Sequence, residues 1–200
     1  MLSPTTEALA FEKTQAGCIL DPMALLTTYY PQFFTATILE WKPLLKEDKY
    51  KDIIVNSLQF LVDNKRVKVF SFVIMPNHLH LIWQIQPGHE REEVQRDFLK
   101  YTAQKIRFDL VENNPELLKE FEVVTSDRKY QFWERNTLSI DLYSRDTLIQ
   151  KLQYIHRNPV HERWTLSAVP EGYHYSSALF YETGVDNPST SSGRLSNSLC

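Results

Sequence analysis

Cysteine is nearly missing from this chain. Cys18 and Cys200 are the only two in 200 residues. Their spacing supports neither a disulfide framework nor a zinc cluster, so a reducing cytoplasm is the expected compartment. Long apolar runs are missing too. No stretch approaches the roughly 18 continuous apolar residues of a membrane-spanning helix, and the N-terminus has no basic region leading into an apolar one. Nor is there a surplus of positive charge: 22 Lys and Arg stand against 25 Asp and Glu, a net charge of −3. That argues mildly against a protein that coats duplex DNA by its overall charge, but leaves room for a local basic groove.

What is present suits one well-buried core. Hydrophobic residues make up 42% and charged residues 24%, ordinary for a globular protein. Aromatic residues, at 12%, are abundant enough to serve stacking or interface roles. Residues 1–30 carry no persistent period and read as a partly ordered extension. The Ser-rich, apolar-poor stretch 183–200 reads as a disordered tail. The domain is therefore expected over 31–182.

Within it, Phe33 to Leu39 has strand composition. Helical spacing of apolar residues predicts helices over 46–63, 90–112 and 145–157. Val67 to Met75 and His78 to Ile85 read as a β-hairpin turning at Pro76-Asn77. The segment 117–142 is ambiguous, with a short helical piece followed by strand-like composition at 121–124 and 130–133. The order strand, helix, strand, strand, helix, late strand is the split βαβ pattern of ferredoxin-like sheets. The expected fold is α+β, an antiparallel sheet with helices on one face.

The return strand of the hairpin carries the chemistry. His78, His80 and Ile82 share one face, and Leu79, Leu81 and Trp83 the other. Two imidazoles on a strand that otherwise reads as core are costly to bury unless something binds them. A divalent metal is the first candidate, although rings facing water or hydrogen-bonded within the core fit a His-x-His pair as well. Some 75 residues on, Tyr154 and Asn158 stand four apart in Tyr-Ile-His-Arg-Asn-Pro-Val and project from one helix face. An Asn oxygen can ligate a hard ion, and a phenol can act as a nucleophile. Taken alone, the same residues also fit a packed Tyr and a helix-capping Asn.

Together, Met75-Pro-Asn-His78-Leu-His80 and Tyr154-Ile-His-Arg-Asn158-Pro-Val resemble the single-tyrosine HUH transposases. Within that group they look most like the REP-associated tyrosine transposases. Phe98-Leu-Lys100, Phe132-Trp-Glu-Arg135 and Tyr173-His-Tyr-Ser-Ser177 occur in the family's order, so the resemblance covers about residues 33–180. It implies the HUH fold, with His78 and His80 as paired metal ligands, Asn158 as the third ligand and Tyr154 as the nucleophile. It also implies a substrate of single-stranded DNA, often beside a folded hairpin repeat. The phenol would become linked to the 5′ phosphate with release of a 3′ hydroxyl, and a second strand would then attack that linkage without ATP. The absence of a P-loop agrees with this.

Mg²⁺ or Mn²⁺ is the expected ion, since Mg²⁺ prefers oxygen ligands and Mn²⁺ tolerates imidazole. Lys100, Lys105 and Arg135 are candidates for backbone phosphate contacts, and Trp133, Tyr173 and Tyr175 for base stacking. Relatives act as monomers or as homodimers. A bound protein would be cytoplasmic and associated with the nucleoid. Departures from the family are His161-Glu-Arg-Trp164, where a small Ala-Gly-Leu stretch is common, and the acidic net charge. The alternative reading is a domesticated DNA-hairpin-binding protein without transposition activity. An unrelated His-x-His metallohydrolase fits poorly, because Ile82-Trp83 replace the acidic partner it needs.

Overall fold

The computed structural model describes residues 29–184. The extension expected over 1–30 and the tail expected over 183–200, with both cysteines, therefore lie almost wholly outside the described residues. Four antiparallel strands form one sheet in the order β2-β3-β1-β4. They are β1 (Gln32–Thr37), β2 (Val67–Ile74), β3 (His78–Ile85) and β4 (Leu138–Asp141). The α+β class and the ferredoxin-like order are as the sequence predicts. Among the described residues no helix is long and apolar enough to cross a membrane.

Strand alternation sorts the side chains onto two faces. Phe34, Ala36, Leu79, Leu81 and Trp83 join the larger core. That core is closed by helix α1 (Asp48–Asp63) and helix α2 (Arg91–Asn113). In α1 the buried Tyr50, Ile54, Leu58 and Leu61 recur at helical spacing, and in α2 the buried stripe is Val94, Phe98, Thr102, Ile106 and Leu110. Thr102 belongs in that apolar row because its hydroxyl donates to the Phe98 carbonyl at 3.0 Å and accepts from Trp133 Nε1 at 3.1 Å. A buried polar atom so paired carries no desolvation penalty left unmet.

The two long helices lie on one face, but a third covers the other. After a short helix α3 (Pro115–Lys119), helix α4 runs Arg145–Arg157. The Ser144 hydroxyl caps its start by accepting from Thr147 N–H. Leu148, Leu152 and Ile155 of α4 pack with Phe33, Val73 and Ile82 of the sheet. Both faces of β1, β2 and β3 are thus covered, which is why the hairpin reads as nearly continuous apolar sequence.

The ambiguous segment becomes an edge. Trp133 forms an isolated bridge to Ile38, and Glu134 N–H donates to the Thr37 carbonyl at 2.8 Å, so this stretch extends β1 past the end of β4. On the opposite edge, Ser176 bridges Val73 of β2, and the chain ends in helix α5 (Ala178–Thr183).

Candidate active site

β3 and α4 together build the site. The register sets Thr35 of β1 opposite His80 and Thr37 opposite His78. The side chains of residues 78 and 80 therefore rise on the α4 face, each only 5% exposed. Their rings lie edge to face with centroids 4.8 Å apart. Tyr154 on α4 comes down over them: its hydroxyl is 3.5 Å from His80 Nε2, and its ring centroid is 5.2 Å from that of His80. Phe33 stacks on His80 at 5.3 Å and meets Tyr154 edge-on at 6.0 Å. A phenol 74 residues away in sequence thus meets the imidazole pair within one chain.

Each ring is held at Nδ1. His78 Nδ1 lies 2.7 Å from Asn77 Oδ1, an oxygen that can only accept, so Nδ1 carries the proton. Asn77 is itself oriented by its Nδ2, which donates to the Trp41 carbonyl at 2.9 Å. His80 Nδ1 lies 2.7 Å from Thr35 Oγ1, whose hydroxyl suits either tautomer. With Nδ1 protonated, each Nε2 keeps a free lone pair, and that of His80 faces the Tyr154 hydroxyl. Burial pushes His78 down to about 4, helped by Arg163, and His80 down to about 3, helped by His78 and Lys151. Both imidazoles are therefore neutral and able to ligate near pH 7.

Asn158, 9% exposed, follows one turn after Tyr154 at the end of α4. Its side-chain amide makes no hydrogen bond among the described residues. Two neutral imidazoles held at Nδ1 by outer partners, with an unpartnered amide one turn beyond Tyr154, are the donor types that could hold a divalent ion. Tyr154 is 49% exposed, so both solvent and a strand can reach its hydroxyl. His156, two residues on, turns away, and its Nε2 lies 3.0 Å from Ser177 Oγ and 3.3 Å from Ser71 Oγ.

The expected nucleic-acid contacts divide. Lys100 and Arg135 line one groove of about 930 Å³ between α2 and residues 127–135. Arg96, Arg107, Arg128 and Lys129 line it as well, against Asp127 and Glu134 as the acids. Asp127 pairs with Arg128 and with Arg135, whereas Lys100 and Arg107 form no ion pair among the described residues. A basic groove therefore exists in a chain of acidic net charge. Lys105 stands outside it, its ammonium 5.6 Å from the centre of the Tyr101 ring.

Burial removes most of the ring surface of two of the three aromatics expected to stack on bases. Trp133 is 6% exposed and Tyr175 5%, both inside the larger core. The half-buried Tyr173 gives its hydroxyl to the Ile74 carbonyl at 2.8 Å. Trp133 nevertheless lines the basic groove with Lys100 and Arg135. The sequence reading missed Asn77, Thr35, Trp41 and Trp164. Only Asn77 carried a signal, its place beside His78 in the turn.

No protein-family model matches this chain, and no curated protein sequence does. Among solved structures, a REP-associated tyrosine transposase bound to a REP hairpin is similar at 15% identity and a TM-score of 0.55. That likeness covers 75% of this chain and 77% of the other. A candidate transposase from Deinococcus radiodurans is similar at 16% identity and a TM-score of 0.44, over 66% of this chain and 92% of the other. The second likeness is too loose to bear weight. The first shows a shared architecture: the chain has the fold of that REP-associated tyrosine transposase.

Proposed function

We propose that this chain cuts and rejoins single-stranded DNA as a transposase of the HUH class, with Tyr154 as nucleophile and a hairpin-forming repeat as substrate. The observation that carries the reading is the Tyr154 hydroxyl 3.5 Å from His80 Nε2. A half-exposed phenol over a pair of buried, neutral imidazoles suits phosphoryl transfer.

In this reading the phenol oxygen attacks the scissile phosphorus in line. The P–O bond to the 3′ oxygen breaks, a 3′ hydroxyl leaves, and the 5′ phosphate stays on Tyr154. A 3′ hydroxyl of a second strand then attacks the phosphotyrosine and restores the phenol. The phenol's proton must be lost as it attacks, and its half-exposed position lets water take that proton. Asn77 and Thr35 hold the imidazoles with Nε2 outward. Phe33 and the α4 backbone fix the phenol's approach. His78, His80 and Asn158 would hold Mg²⁺ or Mn²⁺, which supplies Lewis-acid polarisation and charge neutralisation at the scissile phosphate. The basic groove beside α2 gives the flanking backbone a track. At its rim Glu134 bonds to Thr37, the register neighbour of His78.

The test is a labelled single-stranded oligonucleotide carrying a hairpin repeat, incubated with Mn²⁺ or Mg²⁺. A covalent protein–DNA adduct is expected on denaturing gels, together with its loss in Tyr154→Phe. An adduct that survives in the Phe variant assigns the nucleophile elsewhere. A gel shift with no adduct under any metal favours the binding-protein alternative.

A further inference from the structure

His78 lies between two tryptophans that the proposed chemistry does not use. The Trp41 ring meets it edge-on at 5.9 Å, and the Trp164 ring lies tilted at 5.7 Å. Trp41 is 55% exposed, and Trp164 is half-buried. Core packing does not account for an indole left more than half in water beside the site.

The backbone under Trp41 is strained as well. Glu40 and Trp41 are consecutive residues in the left-handed region, with φ 55° and 59°. Non-glycine residues rarely adopt that conformation, bulky ones least of all. Such strain persists only where the surroundings impose it, and it concentrates at binding and catalytic sites. Here three hydrogen bonds impose it. Leu39 N–H donates to the Phe132 carbonyl at 2.7 Å and Glu40 N–H to Glu134 Oε1 at 2.8 Å. Asn77 Nδ2 donates to the Trp41 carbonyl at 2.9 Å. Because Asn77 Oδ1 also holds His78, one side chain sets Trp41 and the imidazole in a common frame. Thr165, next to Trp164, is left-handed too, with φ 44°. The Arg163 guanidinium lies 5.6 Å from the centre of the Trp164 ring and brings a cation beside that indole.

We propose that Trp41 and Trp164 form a stacking platform for unpaired nucleobases flanking the phosphate attacked by Tyr154. The inference rests on the Tyr154 reading for the position of that phosphate. Stacking on an indole accepts any base, because every base has a π-face. The platform therefore grips single-stranded DNA with little sequence preference and requires the strand to be unpaired at the cleavage point. A duplex running through the site, its bases stacked on one another, cannot use it.

Binding without chemistry tests this directly. The full chain carrying Tyr154→Phe is titrated with a labelled oligothymidylate of about 16 nucleotides, the upper end of a single-strand site. Anisotropy is expected to show roughly tenfold weaker binding when Trp41→Ala is added, and substantial recovery with Trp41→Phe. Moving a single abasic position along the strand should reveal one place that costs affinity with Trp41 present and costs nothing in Trp41→Ala. Intrinsic fluorescence gives a readout without mutating the platform. Trp83 and Trp133 are buried, so quenching by the oligonucleotide reports Trp41 and Trp164. Absent quenching, unchanged affinity in Trp41→Ala, or an abasic penalty indifferent to Trp41 each overturns the platform. Failure to form a covalent adduct in the unmutated protein instead overturns the Tyr154 reading and leaves these binding results standing.

Discussion

At the scale of single residues, Asn77 ties two parts of the site together. Its amide nitrogen holds the Trp41 turn and its oxygen fixes the His78 tautomer. Outer partners of this kind typically govern metal affinity by about 10- to 100-fold. Asn77→Ala is therefore expected to weaken Mn²⁺ binding by about that factor in a calorimetric titration, with the far-ultraviolet circular dichroism unchanged. Equal affinity would mean that the imidazole is held by packing alone. In the sequence Asn77 is marked only by its place beside His78 in the turn. Thr35 reads as an ordinary strand threonine until the β1–β3 register sets it against His80. The ligand candidates were legible because an alternating strand displays its own faces, whereas an outer partner is defined by a neighbour distant in the chain.

At the scale of elements, the groove beside α2 separates charges that matter from charges that merely solvate a helix. Lys100 and Arg107 line it without ion-pair partners among the described residues, while Lys105 on the same helix does not line it. If the groove tracks phosphates, Lys100→Ala with Arg107→Ala should lower affinity for a DNA hairpin evenly across sequences. The slope of log affinity against log salt should fall by about 2, one for each lost phosphate contact. Lys105→Ala should leave that slope unchanged, and filter binding at several salt concentrations reads both. Helix α2 itself was readable from its periodic apolar stripe. Which of its cations gather in a groove depended on residues 127–135, whose mixed composition hid their docking against the helix. The same docking packs Trp133 into the larger core and leaves it among the residues that line the groove.

At the scale of the whole molecule, two buried histidines and the partly buried His156 couple the fold to pH. Burial holds His78 at about 4, His80 at about 3 and His156 at about 4, against an ordinary 6.5. In the unfolded chain these groups take up protons as pH falls through about 6.5, while the folded protein resists until near 4 and below. The unfolded state binds more protons in that window, so stability rises with pH across it. For metal-free protein the urea midpoint is therefore expected to be level above about pH 7 and to fall as pH drops from about 6.5 toward 4. A flat profile across that window would place these rings in water. The paired histidines, the Tyr–Asn spacing and the order of strands and helices could all be read from the chain, because each is a local pattern with its own period. That α4 crosses the sheet face opposite α1 and α2, carrying Tyr154 to within 3.5 Å of His80, was decided only by the tertiary packing. Local spacing records which face of a helix is apolar, but only the closed core determines which side of the sheet that face must cover.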